Sequence, residues 1–175
     1  GYKALAEKNE SYEICFIPDN DYRGFLKRRV DGLEAKVKGG DFITTTGEVV
    51  GTHDGYPFYT IGQRKIGVSL GQNPTYVIGI NTKDNTVTVG TKADLHKQEM
   101  FIRDVNYLKY TSINDGMQCL VKVRYKHKGE IATITNDCDN LKVLFHNKVE
   151  GIAPGQSAAI YEGNDLIAGG FIMKK

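Results

Sequence analysis

Residues 118–145 read QCLVKVRYKHKGEIATITNDCDNLKVLF. Runs rich in β-branched and aromatic residues predict strands at Gln118–Tyr125, Glu130–Asn136 and Asn140–Phe145, separated by turn-forming residues. Comparable runs on either side predict three more strands, at Phe101–Tyr107, Ser157–Glu162 and Leu166–Met173. Six short strands joined by turns predict a small closed, six-stranded antiparallel β-barrel over residues 99–175.

A smaller β-rich domain with one helix is predicted for residues 19–98. Asp19 is the expected N-cap of an amphipathic helix over residues 20–30, because apolar side chains follow it at helical spacing. The remainder predicts extended segments, several of them paired around turns: Asp41–Thr44, Glu48–His53, Tyr56–Ile61, Tyr76–Asn81 and Thr86–Gly90. One short helical turn or a linker at Asp94–Gln98 separates this domain from the barrel, and the fold class is mainly β.

The composition is that of an ordinary globular protein, with 40% hydrophobic residues and a net charge of +2. Such a charge gives no global field of the kind that marks a strongly basic nucleic-acid binder. Cys15, Cys119 and Cys138 are odd in number and widely spaced, which argues against a disulfide framework or a metal site and for a reducing compartment. No apolar run reaches the ~20 residues of a membrane helix, so no membrane partner is expected.

The clearest basic cluster lies in Leu120–Lys128, where charged and apolar residues alternate. The alternation predicts one strand face with four cations: Lys122, Arg124, Lys126 and Lys128. Four like charges on one face repel each other unless a polyanion lies across them. The alternative is a basic strand face that is simply solvated.

Two loops carry further candidate contacts. Arg64 and Lys65 lie between Gly62 and Gly67, in a loop that either offers cations and backbone N–H groups to a phosphate or merely connects strands. Gln156 follows a turn at Pro154-Gly155, where its amide either contacts a base or phosphate or caps the strand.

Cys15 stands in a short apolar run, Ile14–Ile17. A thiol is the side chain best suited to carry a sulfur atom or to attack as a soft nucleophile. The alternative is inert packing, because free cysteine is among the most buried residue types. Nearby carboxylates such as Glu13 favour the protonated thiol, so activation requires a cation or helix N-terminus from elsewhere.

Six segments occur in a fixed order along the chain: SYEICFIP at Ser11–Pro18, FL at Phe25-Leu26, GEVVGTHDG at Gly47–Gly55, YTIGQRKIG at Tyr59–Gly67, VRY at Val123–Tyr125 and PGQSA at Pro154–Ala158. Their identity and order resemble the tRNA-specific 2-thiouridylases, the MnmA/TrmU family. The resemblance extends from near residue 10 to the C-terminus, and the Ile-Cys-Phe-Ile and Gly-Gln-Arg-Lys stretches are its most specific parts.

The resemblance implies a tRNA-uridine 2-sulfurtransferase acting at the wobble position. In that family ATP, used with magnesium, adenylates the C2 oxygen of the uridine, and a persulfide sulfur then displaces AMP. Cys15 matches the persulfide cysteine, and a cysteine desulfurase or a sulfur-relay protein is the implied donor. Arg124, Tyr125 and Gln156 match positions that contact tRNA, and the basic loop with Arg64 and Lys65 is assigned to tRNA binding beside them.

The family's ATP-pyrophosphatase domain has no counterpart in this sequence. The resemblance implies that residues 1–18 are the tail of that domain with the cysteine loop, that residues 19–98 form a central tRNA-binding domain, and that the barrel is similar to domain II of translation factors. ATP is then expected on the missing domain, with no cofactor in this chain, no activity of this chain alone, and a cytoplasmic location. The alternative is a non-catalytic RNA-binding β-barrel module.

Overall fold

The computed structural model of the chain describes Ile17 and residues 19–174. The first part of this region contains a four-stranded sheet: β1 at Gly40–Ile43, β2 at Val49–His53, β3 at Tyr76–Asn81 and β4 at Thr86–Gly90. The strand order is β2-β1-β4-β3, in which β1 and β4 are parallel and the two outer pairs are antiparallel hairpins. Phe42 and three valines from β3 and β4 are buried together in its core. The β-rich central region is thereby confirmed.

The predicted helix is present as α1, Tyr22–Arg29. The prediction that Asp19 is its N-cap was wrong. Asp21 caps the helix, because its side chain accepts a hydrogen bond from the Gly24 N–H at 2.8 Å. Asp19 instead accepts from the Asp21 N–H and pairs with Arg28 at 3.1 Å. A second helix, α2 at Leu33–Val37, was not predicted, since five residues are too few for a periodic pattern.

The prediction of an extended segment at Tyr56–Ile61 was wrong, because no strand forms there. Tyr56–Phe58 forms a turn of 3-10 helix, closed by the Tyr59 N–H donating to the Tyr56 carbonyl at 3.2 Å. Pro57 lies within this turn, and its fixed φ suits a helical start better than a strand. The turn buries Phe58 and places its ring, with that of Tyr59, against the Arg23 guanidinium of α1.

His53 is a buried ionisable residue of the central domain. Its Nδ1 accepts a hydrogen bond from the Gly55 N–H at 3.0 Å, and its ring meets Phe42 edge-on with centroids 5.1 Å apart. Burial lowers the pKa of His53 below its usual value, partly offset by Asp41 and Asp54. Burial in the fold therefore favours the neutral imidazole over the protonated one.

We expect the free energy of unfolding of this domain to fall as the pH drops from 7.5 to 5.5. The unfolded chain binds a proton near the ordinary pKa of about 6.5, whereas folded His53 resists it, so stability present above that pH is lost as the pH falls. His53→Gln keeps an acceptor for Gly55 and should weaken this dependence. Urea unfolding at both pH values measures it, with the exposed His146→Gln as the matched control; equal pH dependence in His53→Gln and wild type would contradict the assignment.

The second part of the described chain is a closed six-stranded antiparallel barrel, as predicted. Its strands are β5 at His96–Tyr107, β6 at Met117–Lys122, β7 at Glu130–Asp137, β8 at Asn140–Glu150, β9 at Ser157–Glu162 and β10 at Asp165–Ile172. They close in the order β10-β5-β8-β7-β6-β9. Alternate side chains fill the interior, among them the fully buried Ile102, Ile134, Leu141 and Phe145.

The end of β6 differs from the prediction. The strand stops at Lys122 rather than continuing to Tyr125, because Val121 already pairs with Glu130 of β7 and the residues after Lys122 must make the connection. The His127 N–H donates to the Arg124 carbonyl at 3.0 Å within that connection. The expectation that Lys122, Arg124, Lys126 and Lys128 share one strand face was therefore wrong, since three of them belong to a loop.

Antiparallel pairing separates the barrel loops into two ends with different charge. One end, which we call the basic rim, comprises the β6–β7 loop at 123–129 and the β8–β9 loop at 151–156. The opposite end, the acidic rim, comprises the loop at 108–116 and the turns at 137–140 and 162–165. Its charges are one lysine and five carboxylates: Lys109, Asp115, Asp137, Asp139, Glu162 and Asp165.

The two domains are joined at the basic-rim end of the barrel. A 3-10 turn at Lys92–Leu95, closed by a reciprocal Thr91–Asp94 capping box, leads directly into β5. Across the junction the Lys174 ammonium donates to the Ile80 carbonyl at 2.8 Å. The domain limits of 1–18, 19–98 and 99–175 stay predictions; β5 itself begins at His96. None of the helices in the described part of the chain combines the length and the apolar sequence that a membrane-spanning helix needs.

Candidate nucleic-acid interface

Three of the predicted contact residues meet at the basic rim. Arg124 and Tyr125 lie in the β6–β7 loop, and Gln156 lies at the end of the β8–β9 loop. All three side chains are exposed, and Tyr125 is 77% exposed, the largest exposed fraction among the large apolar side chains described. Adjacent residues of a regular strand point to opposite faces, but β6 ends at Lys122, so this alternation does not constrain Arg124 and Tyr125.

Arg124 lies against the backbone of the neighbouring loop. A Cβ placed on Gly151 would lie 3.2 Å from the Arg124 Nη1, and Gly151 has φ +78°. The absence of a side chain at this position therefore admits the guanidinium. Sequence reasoning missed Gly151, because a glycine before an Ile-Ala-Pro-Gly stretch reads only as part of a turn. The contact joins the two loops of the basic rim through one cation.

The backbone of Gln156 is held on both sides. Its N–H donates to the Ala153 carbonyl at 3.3 Å, and its own carbonyl accepts from the Ile172 N–H at 2.8 Å. The predicted turn at Pro154-Gly155 is confirmed. The main chain from which the exposed Gln156 amide extends is therefore fixed, and the amide can donate and accept hydrogen bonds.

The electrostatics of the basic rim favour an anion. Burial lowers the pKa of His127, and the positive charges of Arg124 and Lys122 lower it further, against an opposing effect of Glu130. The Lys122 ammonium stacks over the Tyr161 ring at 5.0 Å from its centroid. An anion bound beside this loop would offset the mutual repulsion of its cations. At the acidic rim the carboxylates outnumber the cations, and the single lysine there, Lys109, is already paired with both Glu162 and Asp165 at 2.7 Å.

Arg64 and Lys65 belong to a second patch, on the central domain. The loop at 62–67 is irregular, as predicted, and its backbone is tied to β3 by the Val77 N–H, which donates to the Gln63 carbonyl at 3.0 Å. The Arg64 guanidinium lies over the Tyr76 ring, 5.5 Å from its centroid. Both cations are exposed and line a shallow pocket of about 290 Å³.

Cys15, the predicted sulfur carrier, lies outside the described residues. The described residue that follows it most closely is Ile17, which is 3% exposed and whose carbonyl accepts from the Asn20 N–H at 3.1 Å. Among the described cysteines, Cys119 is buried in the barrel core and Cys138 is exposed in the β7–β8 turn; both are free thiols. No cluster of three or more potential metal ligands occurs in the part of the chain that the structure describes.

Comparison with known sequences assigns both domains. Residues 23–91 match the tRNA methyl transferase PRC-barrel domain, and residues 97–172 match the aminomethyltransferase β-barrel domain. The interval between the two matches coincides with the 3-10 turn that joins the domains. Together the two matches cover most of the chain.

Curated relatives are similar in sequence to this chain along nearly its whole length. The tRNA-specific 2-thiouridylases MnmA of Amoebophilus asiaticus, Cytophaga hutchinsonii and Salinibacter ruber are 52%, 50% and 46% identical to it over 174 residues. Each alignment covers 98% of this chain and 46%, 47% and 45% of the respective relative, so the chain spans about half the length of the curated relatives it matches. The chain belongs to the tRNA-specific 2-thiouridylase family.

Proposed function

We propose that this chain holds tRNA and carries sulfur for a tRNA-uridine 2-sulfurtransferase that makes 2-thiouridine at the wobble position. The observation that carries the RNA-binding part is the grouping of Arg124, Tyr125 and Gln156 on one basic rim. An arginine fork suits a phosphate, an exposed tyrosine offers a stacking surface to a base, and a side-chain amide can contact a base edge or a phosphate. The three side chains together suit RNA better than a small anion.

Cys15 is the proposed sulfur carrier. A cysteine desulfurase or a sulfur-relay protein transfers the outer sulfur of its own persulfide to the Cys15 thiolate and leaves as a thiol. The outer sulfur of the Cys15 persulfide attacks the adenylated C2 of the uridine, and AMP leaves. A second cysteine thiol, on another domain of the enzyme, then attacks the Cys15 sulfur, so that the S–S bond breaks, a disulfide forms and the transferred sulfur stays on the uridine. ATP, bound with magnesium by a separate domain of the enzyme, supplies the activation of the C2 oxygen as a leaving group. This chain alone is therefore expected to bind tRNA without thiolating it. A cytoplasmic location fits both a tRNA substrate and free thiols.

The experiment that tests the RNA-binding part is a salt titration. Fluorescence anisotropy of a labelled tRNA transcript gives the Kd at each salt concentration. Each phosphate contact adds about 0.7–0.9 to the slope of log Kd against log salt, so we expect a slope of several units. A slope near zero would mean that the basic rim is merely solvated and would overturn the proposal.

A second experiment separates the proposal from a non-catalytic RNA-binding module. The chain is incubated with a small-molecule persulfide, and intact-mass and peptide spectra locate any added sulfur. Uptake at Cys15 supports the carrier role. Steep salt dependence of tRNA binding without uptake at Cys15 would favour the non-catalytic module, because a cysteine packed in a core does not exchange.

The contact between Arg124 and Gly151 gives a further prediction. Gly151→Ala forces a side chain into a positive-φ position and presses on the guanidinium, so we expect a stability loss of roughly 1 kcal/mol and weaker tRNA binding. The matched control is Gly116→Ala on the acidic rim, where φ is +81° and nothing lies within 4 Å. It should lose similar stability and keep its tRNA affinity. Urea unfolding and anisotropy measure the two effects; equal tRNA affinities for both variants would contradict the role of Gly151.

A further inference from the structure

The pocket beside Arg64 has a chemistry that the proposed function does not use. It measures about 290 Å³ and is lined by the loop at 62–67 on one side and by residues 68–75 on the other. Small-molecule sites in proteins usually enclose about 300–1,000 Å³, so this pocket is just below that range. It is too small for a helix or a duplex groove and suits one small polar molecule.

One wall of the pocket is cationic and held in place. Stacking on Tyr76 restrains the Arg64 guanidinium, which otherwise has many rotamers. Lys65 follows with φ +56°, a left-handed conformation that non-glycine residues rarely adopt. Both cations line the pocket, which suits a phosphate group with its several acceptor oxygens.

The other wall carries amides. The Leu70 N–H donates to the Thr75 Oγ1 at 2.9 Å, and Leu70 and Asn73 form an isolated β-bridge, so this segment is a closed turn. Gln72 and Asn73 stand exposed on it, and no hydrogen bond to another described residue engages their side-chain amides. Primary amides present a donor and an acceptor side by side, as the edge of a nucleobase does.

From this combination we infer that the pocket binds one unpaired nucleotide, with the phosphate at Arg64 and Lys65 and the base edge at Gln72 and Asn73. Pro74 adds a flat apolar surface against which a base can lie. An inorganic anion would use the cationic wall and leave both amides unused, whereas a nucleotide uses both walls. The inference rests on the proposed function, since the nucleotide would belong to the bound tRNA.

The test uses mononucleotides, which need no contact with the basic rim. Uridine 5′-monophosphate and adenosine 5′-monophosphate are titrated into ¹⁵N-labelled chain, and the side-chain amide resonances of Gln72 and Asn73 are followed. We expect saturable shifts with at least one of the two, and no comparable shift with ribose 5-phosphate, which lacks a base. Equal shifts with ribose 5-phosphate would reduce the pocket to an anion site and overturn the inference, as would the absence of any shift.

A variant connects the pocket to tRNA. Gln72→Ala with Asn73→Ala should raise the Kd for a tRNA transcript about five- to tenfold, the lower part of the range for base-edge contacts. Gln98→Ala with Asn106→Ala, two exposed amides on β5, is the matched control and should leave the Kd unchanged. If wild-type chain binds tRNA with steep salt dependence but the pocket variant is unaffected, only this inference fails. If wild-type chain does not bind tRNA, the proposed function fails first.

Discussion

Replacing Cys15 by serine in the full-length protein should abolish the formation of 2-thiouridine in tRNA. A serine hydroxyl cannot form a persulfide, so no group remains at this position to carry the transferred sulfur. Activation of the uridine should persist, because it requires ATP and not the sulfur carrier. Thiolation is measured as the 2-thiouridine content of digested tRNA, and activation as pyrophosphate release in the same reactions.

The matched control for this prediction is Cys138→Ser. Cys138 is an exposed free thiol in the β7–β8 turn of the acidic rim, and we expect its removal to leave thiolation unchanged. If the Cys15→Ser enzyme still makes 2-thiouridine at the normal level, Cys15 is not the sulfur carrier and serves only in packing. Loss of activity in both variants would indicate a general sensitivity to cysteine replacement rather than a carrier at Cys15.

The second large effect concerns the basic rim. Tyr125→Ala removes a stacking surface worth about 1–3 kcal/mol per base, so we expect tRNA affinity to fall by about 5- to 150-fold with the salt dependence unchanged. Arg124→Ala removes a phosphate contact and should lower the slope of log Kd against log salt by about one. Combining both changes should bring the affinity of the chain close to nonspecific binding. Anisotropy titrations at several salt concentrations separate the two signatures.

Tyr110→Ala is the control for Tyr125→Ala. Tyr110 is an exposed tyrosine of the acidic rim, 40% exposed, whose hydroxyl donates to Glu162. Because that end of the barrel is dominated by carboxylates, its loss should leave tRNA affinity unchanged. An equal loss of affinity in Tyr110→Ala and Tyr125→Ala would mean that the two rims do not differ in function, contrary to the proposal.

The predictable parts of the fold are those in which turns bound the strands. Tyr76–Asn81, Thr86–Gly90 and Ser157–Glu162 have the predicted limits, because glycine, asparagine or proline stands at one or both ends of each. The end of β6 could not be predicted in this way. Apolar and charged residues keep alternating through Lys128, and only the pairing of Val121 with Glu130 determines where the ladder stops.

The candidate site was partly predictable for a related reason. The residue types of Arg124, Tyr125 and Gln156 mark them as candidate RNA contacts. That they lie at the same end of the barrel depends on its strand order, which the sequence does not show. Gly151 matters because the Arg124 side chain lies close to it, and a contact between residues so far apart in sequence cannot be predicted from the residue types. The pocket beside Arg64 likewise depends on how the consecutive segments 62–67 and 68–75 fold back toward each other, which their residue types do not show.

The most direct test of tRNA binding at the basic rim is to map where tRNA touches this chain. Ultraviolet crosslinking to a tRNA transcript, followed by mass spectrometry of the crosslinked peptides, identifies the contacting residues. We predict crosslinks at Tyr125 and within the loop at 151–156, both on the basic rim. Crosslinks confined to the acidic rim, with none on either loop of the basic rim, would contradict the proposal.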